Sequence, residues 1–175
     1  NIPVEIEAAA EYMVDFDIEK KLKENKPMLT FGKKYILIEM SFAAPSLNIE
    51  QVIFQLRMKG LQPVLAHPER YNYYHNQFEK YDRFIEMGCL IQINLLSLSG
   101  YYGKPVKAIA EKLLSTGRVD LLGTDIHHEN HLNSLREMAS RKEFYELFAE
   151  ADIKNRKLLF DAIKNYCTSF IFFAG

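Results

Sequence analysis

The sequence predicts an α/β fold, a parallel sheet of about five strands joined by crossover helices, and three observations lead there. Short β-rich apolar runs alternate with segments whose apolar residues recur at three- and four-residue spacings. The polar residue closing each run recurs with nearly one period: Glu11, Glu39, His67, Asn94 and Asp125 stand at intervals of 28, 28, 27 and 31 residues, about the length of one βα unit. A chain of 175 residues with 48% apolar composition can also bury the core of a single domain.

The elements follow in order. Val4 to Glu11 reads as the first strand and Tyr35 to Ser41 as the second. In NIEQVIFQLRMKG, Ile49, Val52, Ile53 and Leu56 mark one apolar helix face, with Asn48 as N-cap and Gly60 as left-handed stop. Gln62 to His67 is the third strand, and QFEKYDRFIEMG repeats the helical pattern through Phe78, Tyr81, Phe84 and Ile85 up to Gly88. Leu90 to Asn94 is the fourth strand, Lys104 to Ser115 a helix ending before Gly117, and Val119 to Thr124 the fifth strand. Two more helices are expected, from about Leu132 and from about Asn155, while the closing SFIFFAG is either a packed last element or an artefact of where the gene ends.

Composition narrows the function. Lys+Arg 22 against Asp+Glu 23 gives a net charge of −1, so no global basic field recruits nucleic acid, and any phosphate chemistry is local. Cys89 and Cys167 have no metal-knuckle or CxxC spacing, and no secretory signal or membrane-length apolar run is visible, which favours a reducing cytoplasm. Cys89 reads as a core residue.

In a parallel barrel the carboxyl ends of all strands converge on one rim, so the five strand-closing groups would surround one point. Two glutamates, an aspartate and histidines in a largely dry pocket need cations to offset repulsion and desolvation. Glu11, Glu39, His67, Asp125 and His127 make a ligand set of oxygens and nitrogens without thiolates, which suits manganese, iron, magnesium or catalytic zinc. If GTDIHHEN is extended, Asp125 and His127 share a face. Arg70 adds a planar fork for phosphate oxygens, and the combination points to hydrolysis of a phosphate ester.

Each residue also has a plainer reading. Glu39 alone fits an exposed position on an edge strand, His67 a capped core histidine, Glu69 and Arg70 a surface pair, and His127, His128 and His131 a solvated or adventitious cluster. Their common period weighs against independent accidents.

The segments AAAEYMVD, YILIEMSF, PVLAHPERY, MGCLIQIN and LLGTDIHH, in that order and spacing, resemble the bacterial tyrosine-protein phosphatases of the polymerase and histidinol phosphatase (PHP) superfamily, over about residues 4 to 165. The resemblance implies a distorted TIM-like (β/α)7 barrel of the PHP type, here incomplete with about five parallel strands. It also implies manganese or another divalent metal, up to three ions in the complete form. By matching motif, Glu11 would bridge metals, Glu39 and His67 would complete the second site, Asp125 would join the first and His127 the third, with Arg70 on the substrate phosphate. The implied reaction is attack of a metal-bound hydroxide on phosphorus, with no phosphoenzyme. The implied substrate is the phosphotyrosine tail of a tyrosine autokinase in capsule or exopolysaccharide synthesis.

The family's opening H-x-H strand, its DDG-like turn and a following strand ending in histidine have no match here. The chain therefore reads as a single domain, 1–175, without the first two βα units, with 166–175 an atypical tail and two sheet edges left open to aggregation. The second arginine that the resemblance leads one to look for is not evident, and His131 stands nearest to its place. The alternatives are a small-molecule phosphoesterase such as a histidinol phosphatase, and a catalytically inert fragment.

Overall fold

The computed structural model describes residues 5–148, 151–155 and 169–174. In chain order the elements are β1 (Glu5–Met13), α1 (Phe16–Lys23), β2 (Tyr35–Glu39), α2 (Ile49–Met58), β3 (Gln62–Ala66), α3 (Glu79–Glu86), β4 (Leu90–Asn94), α4 (Leu95–Ser99), α5 (Lys104–Ser115), β5 (Leu121–Gly123), α6 (Glu129–Ala139), α7 (Lys142–Glu146) and β6 (Ser169–Ala174). Two single-turn 3-10 helices, Pro68–Arg70 and Asn72–Tyr74, follow β3. The helix expected from about Asn155 falls largely outside the described residues, as does Cys167.

All strands pair in parallel, in the order β5-β4-β3-β2-β1-β6. The registers Met13 beside Glu39, Leu65 beside Ile38, Ala66 beside Gln92 and Asn94 beside Gly123 align the carboxyl ends on one rim. Alternation then sorts the side chains. Ile36, Ile38, Leu65, Ile91 and Ile93 face the helices and join Ile53, Leu56, Tyr81, Phe84 and Leu113 in the main core. Ala9, Leu37, Val64, Ala66 and Leu121 form a second, smaller apolar layer on the other face.

Helix ends show their causes. Asp15 caps α1 by accepting from the backbone N–H groups of Asp17 (2.8 Å) and Ile18 (3.2 Å). Gly60, Gly88 and Gly117 close α2, α3 and α5 with φ of 76°, 83° and 69°. Asn48 stands at the N-cap of α2 without a side-chain cap bond, and its amide donates to Glu19 on α1 instead. Cys89 is buried in the main core.

The sheet remains open, with β5 and β6 as its outer strands, but neither edge is quite as the expectation put it. At β1 the tail residues Ser169–Ala174 add a parallel sixth strand, Glu5 beside Ser169 through Ala10 beside Ala174. At β5 the Lys154 N–H donates to the Asp120 carbonyl (2.7 Å). The Asn155 amide meets both backbone groups of Leu122, accepting its N–H and donating to its C=O, each at 2.8 Å. Among the described residues no helix is long and apolar enough to cross a membrane.

Candidate metal centre

Glu11 and Glu39 project from the same face of the sheet as Leu37, because Glu11 pairs with Leu37 and Glu39 lies two residues beyond it. His67 is one residue past β3 and out of phase with Val64 and Ala66. Its left-handed backbone, φ 34°, breaks the alternation as the chain turns into Pro68. The three side chains meet there: their ligand atoms lie within 4.8 Å of one another, with His67 Nε2 3.5 Å from both Glu11 Oε1 and Glu39 Oε2.

The donor set fits a divalent cation. Glu11 Oε1 and His67 Nδ1 are buried without a hydrogen-bond partner, a costly arrangement for a carboxylate oxygen unless a cation faces it. Burial, then the Glu11 and Asp125 carboxylates, push Glu39 above its ordinary value. Burial opposes a proton on His67, but Glu11, Glu69 and Asp125 outweigh it and hold the imidazole above its ordinary value. Two carboxylates and an imidazole, without sulfur, are ligands for hard or borderline metals.

Asp125 also has a left-handed backbone, φ 48°, so the D-x-H segment is not extended there. The turn nevertheless brings the pair together: His127 Nε2 lies 2.7 Å from Asp125 Oδ1. Arg70 Nη1 donates to Asp125 Oδ2 at 2.6 Å, and Asn94 Nδ2 donates to the same oxygen at 3.2 Å. Burial would raise the Asp125 carboxyl, but His67, His127 and Arg70 outweigh it and hold it below its ordinary value. Glu11, His67, Gln92, Asn94 and Asp125 line one pocket, floored by Leu37, Ala66 and Gly123. Gly123 lets Gln92 lie against the strand, since a Cβ there would come 2.3 Å from Gln92 Nε2 and push that side chain aside.

The structure thus clusters Glu11, Glu39 and His67 as mutual neighbours, and places Asp125, with His127 and Arg70 bonded to it, across the same pocket. His127 is largely solvent-exposed, whereas His131 is buried, its Nδ1 3.2 Å from the Asp125 carbonyl, and burial followed by His128 lowers its basicity.

Several supporting residues are not evident from the sequence. Glu69 makes no surface pair with Arg70: it is fully buried, and its Oε1 accepts from the Asn94 N–H (2.9 Å) and the Ser97 hydroxyl (2.6 Å). The Tyr71 hydroxyl accepts from the Met40 N–H (2.9 Å) and donates to the Ala66 carbonyl (3.0 Å), tying β2 to β3 beside Glu39 and His67. Their position in HPERY is the available signal. Gln92 carries none beyond its inward phase on β4.

A parallel sheet whose carboxyl rim carries clustered carboxylates and histidines defines the PHP-type α/β class, and the comparisons agree. The chain belongs to the CpsB/CapC family of capsular polysaccharide synthesis, whose sequence model matches residues 1–154. It is 30% identical to tyrosine-protein phosphatase YwqE of Bacillus subtilis over 128 residues, 73% of this chain and 50% of the relative. It is 32% identical to tyrosine-protein phosphatase CpsB of Streptococcus agalactiae over 117 residues, 64% of this chain and 48% of the relative. Among solved structures it resembles a chain from a study of YwqE of Bacillus subtilis and CpsB of Streptococcus pneumoniae, described as unique metal-dependent tyrosine phosphatases. The TM-score is 0.65 at 26% identity, covering 89% of this chain and 64% of that one. The chain spans about half the length of the curated relatives it matches.

Proposed function

We propose that the chain carries the metal-binding and phosphate-binding half of a metal-dependent phosphotyrosine-protein phosphatase. Its substrate is the phosphotyrosine tail of a tyrosine autokinase in capsule or exopolysaccharide synthesis, met in the cytoplasm. One observation carries this reading: two carboxylates and an imidazole from three different strand ends have ligand atoms within 4.8 Å of one another, with a buried carboxylate oxygen that accepts no hydrogen bond.

Glu11, Glu39 and His67 would hold one divalent cation, manganese in this reading, and Asp125 and His127 would contribute to up to two further ions. Such cations, when bound, supply Lewis-acid polarisation of the phosphoryl group and acidify water. The chain's own residues do the rest. Arg70 offers its N–H groups to the phosphate oxygens. Asp125 orients Arg70 and His127 through its two oxygens, and Asn94 fixes Asp125. The phenol leaving group, with a pKa of about 10, departs with little acid assistance.

The test is hydrolysis of a phosphotyrosine peptide by the purified chain with added manganese and with a chelator. Turnover that survives the chelator overturns the proposal. Faster turnover of histidinol phosphate than of the peptide replaces it with the small-molecule phosphoesterase, and bound metal without turnover of either assigns the chain to the inert alternative.

A further inference from the structure

The Arg70 guanidinium is flanked by two aromatic rings that the metal chemistry does not explain. Its central carbon lies 4.4 Å from the Phe42 ring centroid and 4.2 Å from that of Tyr102. The two come from distant parts of the chain, Phe42 just after β2 and Tyr102 in the loop between α4 and α5. Contact through π faces holds a guanidinium without consuming its N–H groups, which stay available to an oxyanion. Tyr102 is half-buried and its hydroxyl accepts a long bond from Asn94 Nδ2 (3.4 Å), so its ring is anchored to the pocket wall. Phe42 is 47% exposed, with its ring centroid 5.4 Å from that of His67.

Exposed apolar side chains recur along this rim. Met13, Ile126 and Tyr101 are all exposed, the first two beside the segments that supply Glu11 and Asp125. A pocket for a small hydrophilic phosphate ester has no use for such a collar, whereas an aryl phosphate needs an apolar face next to its anion site.

We propose that Phe42 and Tyr102 are the specificity-determining and positioning residues of the phosphate site. Tyr102 holds the Arg70 plane for the phosphoryl oxygens, and the exposed Phe42 ring receives the aryl ring of phosphotyrosine. This rests on the reading of Arg70 as the phosphate-binding residue.

The experiment is calorimetric titration of the manganese-loaded chain with phosphotyrosine, phosphoserine and inorganic phosphate. The wild-type chain prefers phosphotyrosine over phosphoserine. Phe42→Leu is expected to weaken phosphotyrosine about tenfold with little change for inorganic phosphate, and Tyr102→Leu to weaken both about tenfold. Phe42→Tyr and Tyr102→Phe, which keep a ring, recover most of the affinity. Manganese uptake by each variant reports that Glu11, Glu39 and His67 are still assembled. Leucine variants that bind phosphotyrosine within twofold of wild type, or ring-keeping variants that bind it no better than leucine, overturn the proposal while Arg70→Met still abolishes phosphate binding. Phosphate affinity unchanged in Arg70→Met, or no phosphate binding by the wild-type chain, overturns the phosphate-site reading itself and this inference with it.

Discussion

The Glu69 carboxylate accepts the Asn94 backbone N–H at 2.9 Å from a position with no solvent exposure. Since Asn94 in turn donates to Asp125, a residue that never reaches the pocket fixes one that does. Glu69→Ala leaves the Asn94 and Ser97 donors unpaired and is expected to lower stability by about 2–4 kcal/mol. A shift in urea midpoint equivalent to less than about 1 kcal/mol would show that Glu69 is not structural. The pH dependence follows from burial, which pushes the carboxyl above its ordinary value. The native state keeps a proton that the unfolded chain releases, so this contribution is complete below the ordinary glutamate value and is lost as pH rises through the folded one. Glu69→Gln should flatten that slope.

At the proposed metal site, a cation would have to compete with the proton on His67. Glu11, Glu69 and Asp125 raise its folded value, so in the metal-free chain its stabilisation is full below the ordinary histidine value and fades as pH rises through the raised one. A metal requires the neutral ring, so manganese affinity should climb across the same window, with a proton released per ion. Titration in two buffers of different ionisation enthalpy counts that proton. Affinity independent of pH from about 6 to 8 contradicts His67 as a ligand.

Tyr71→Phe strips one hydroxyl that serves two backbone groups, the Met40 N–H and the Ala66 C=O. Both are buried and would be left without that partner, which is expected to cost about 2–3 kcal/mol and to loosen β2 from β3 next to Glu39 and His67. Chemical denaturation measures the loss, and a change inside experimental error means that water replaces the hydroxyl.

Asn155→Ala removes the amide that satisfies both backbone groups of Leu122. A loss of about 1 kcal/mol and faster hydrogen exchange at the Leu122 amide are expected, together with a greater tendency to self-associate through β5. Unchanged exchange at Leu122 would show that the contact does not persist in solution.

The strands are legible because β-rich apolar runs end on a polar residue at a regular interval, and α5 has its expected ends because Gly117 and its apolar face agree. Other elements are hidden for local reasons. In LIQINLLSLSG the apolar run does not change character where β4 becomes α4, so only Asn94, whose side chain accepts the Leu96 N–H, marks the boundary. α1 is absent from the expected elements although Asp15, Ile18 and Leu22 carry its cap and its buried face. The tail has no readable place because its partner, β1, stands at the opposite end of the chain. In the site, residue types and spacing single out Glu11, Glu39, His67 and Asp125. The burial of Glu69 and the rings on Arg70 arise from contacts between distant segments, for which a sequence has no local signal.

The small apolar layer of Ala9, Leu37, Val64, Ala66 and Leu121 lies beneath the acidic rim. It makes the permittivity of the medium under the carboxylates low, so fields from neighbouring charges are felt there at greater strength than in water. Trimming Leu37 to alanine would leave Glu11, Glu39 and His67 unchanged, yet by admitting solvent beneath them it would weaken their mutual charge interactions. The hydrocarbon floor is thus an electrostatic component of the centre.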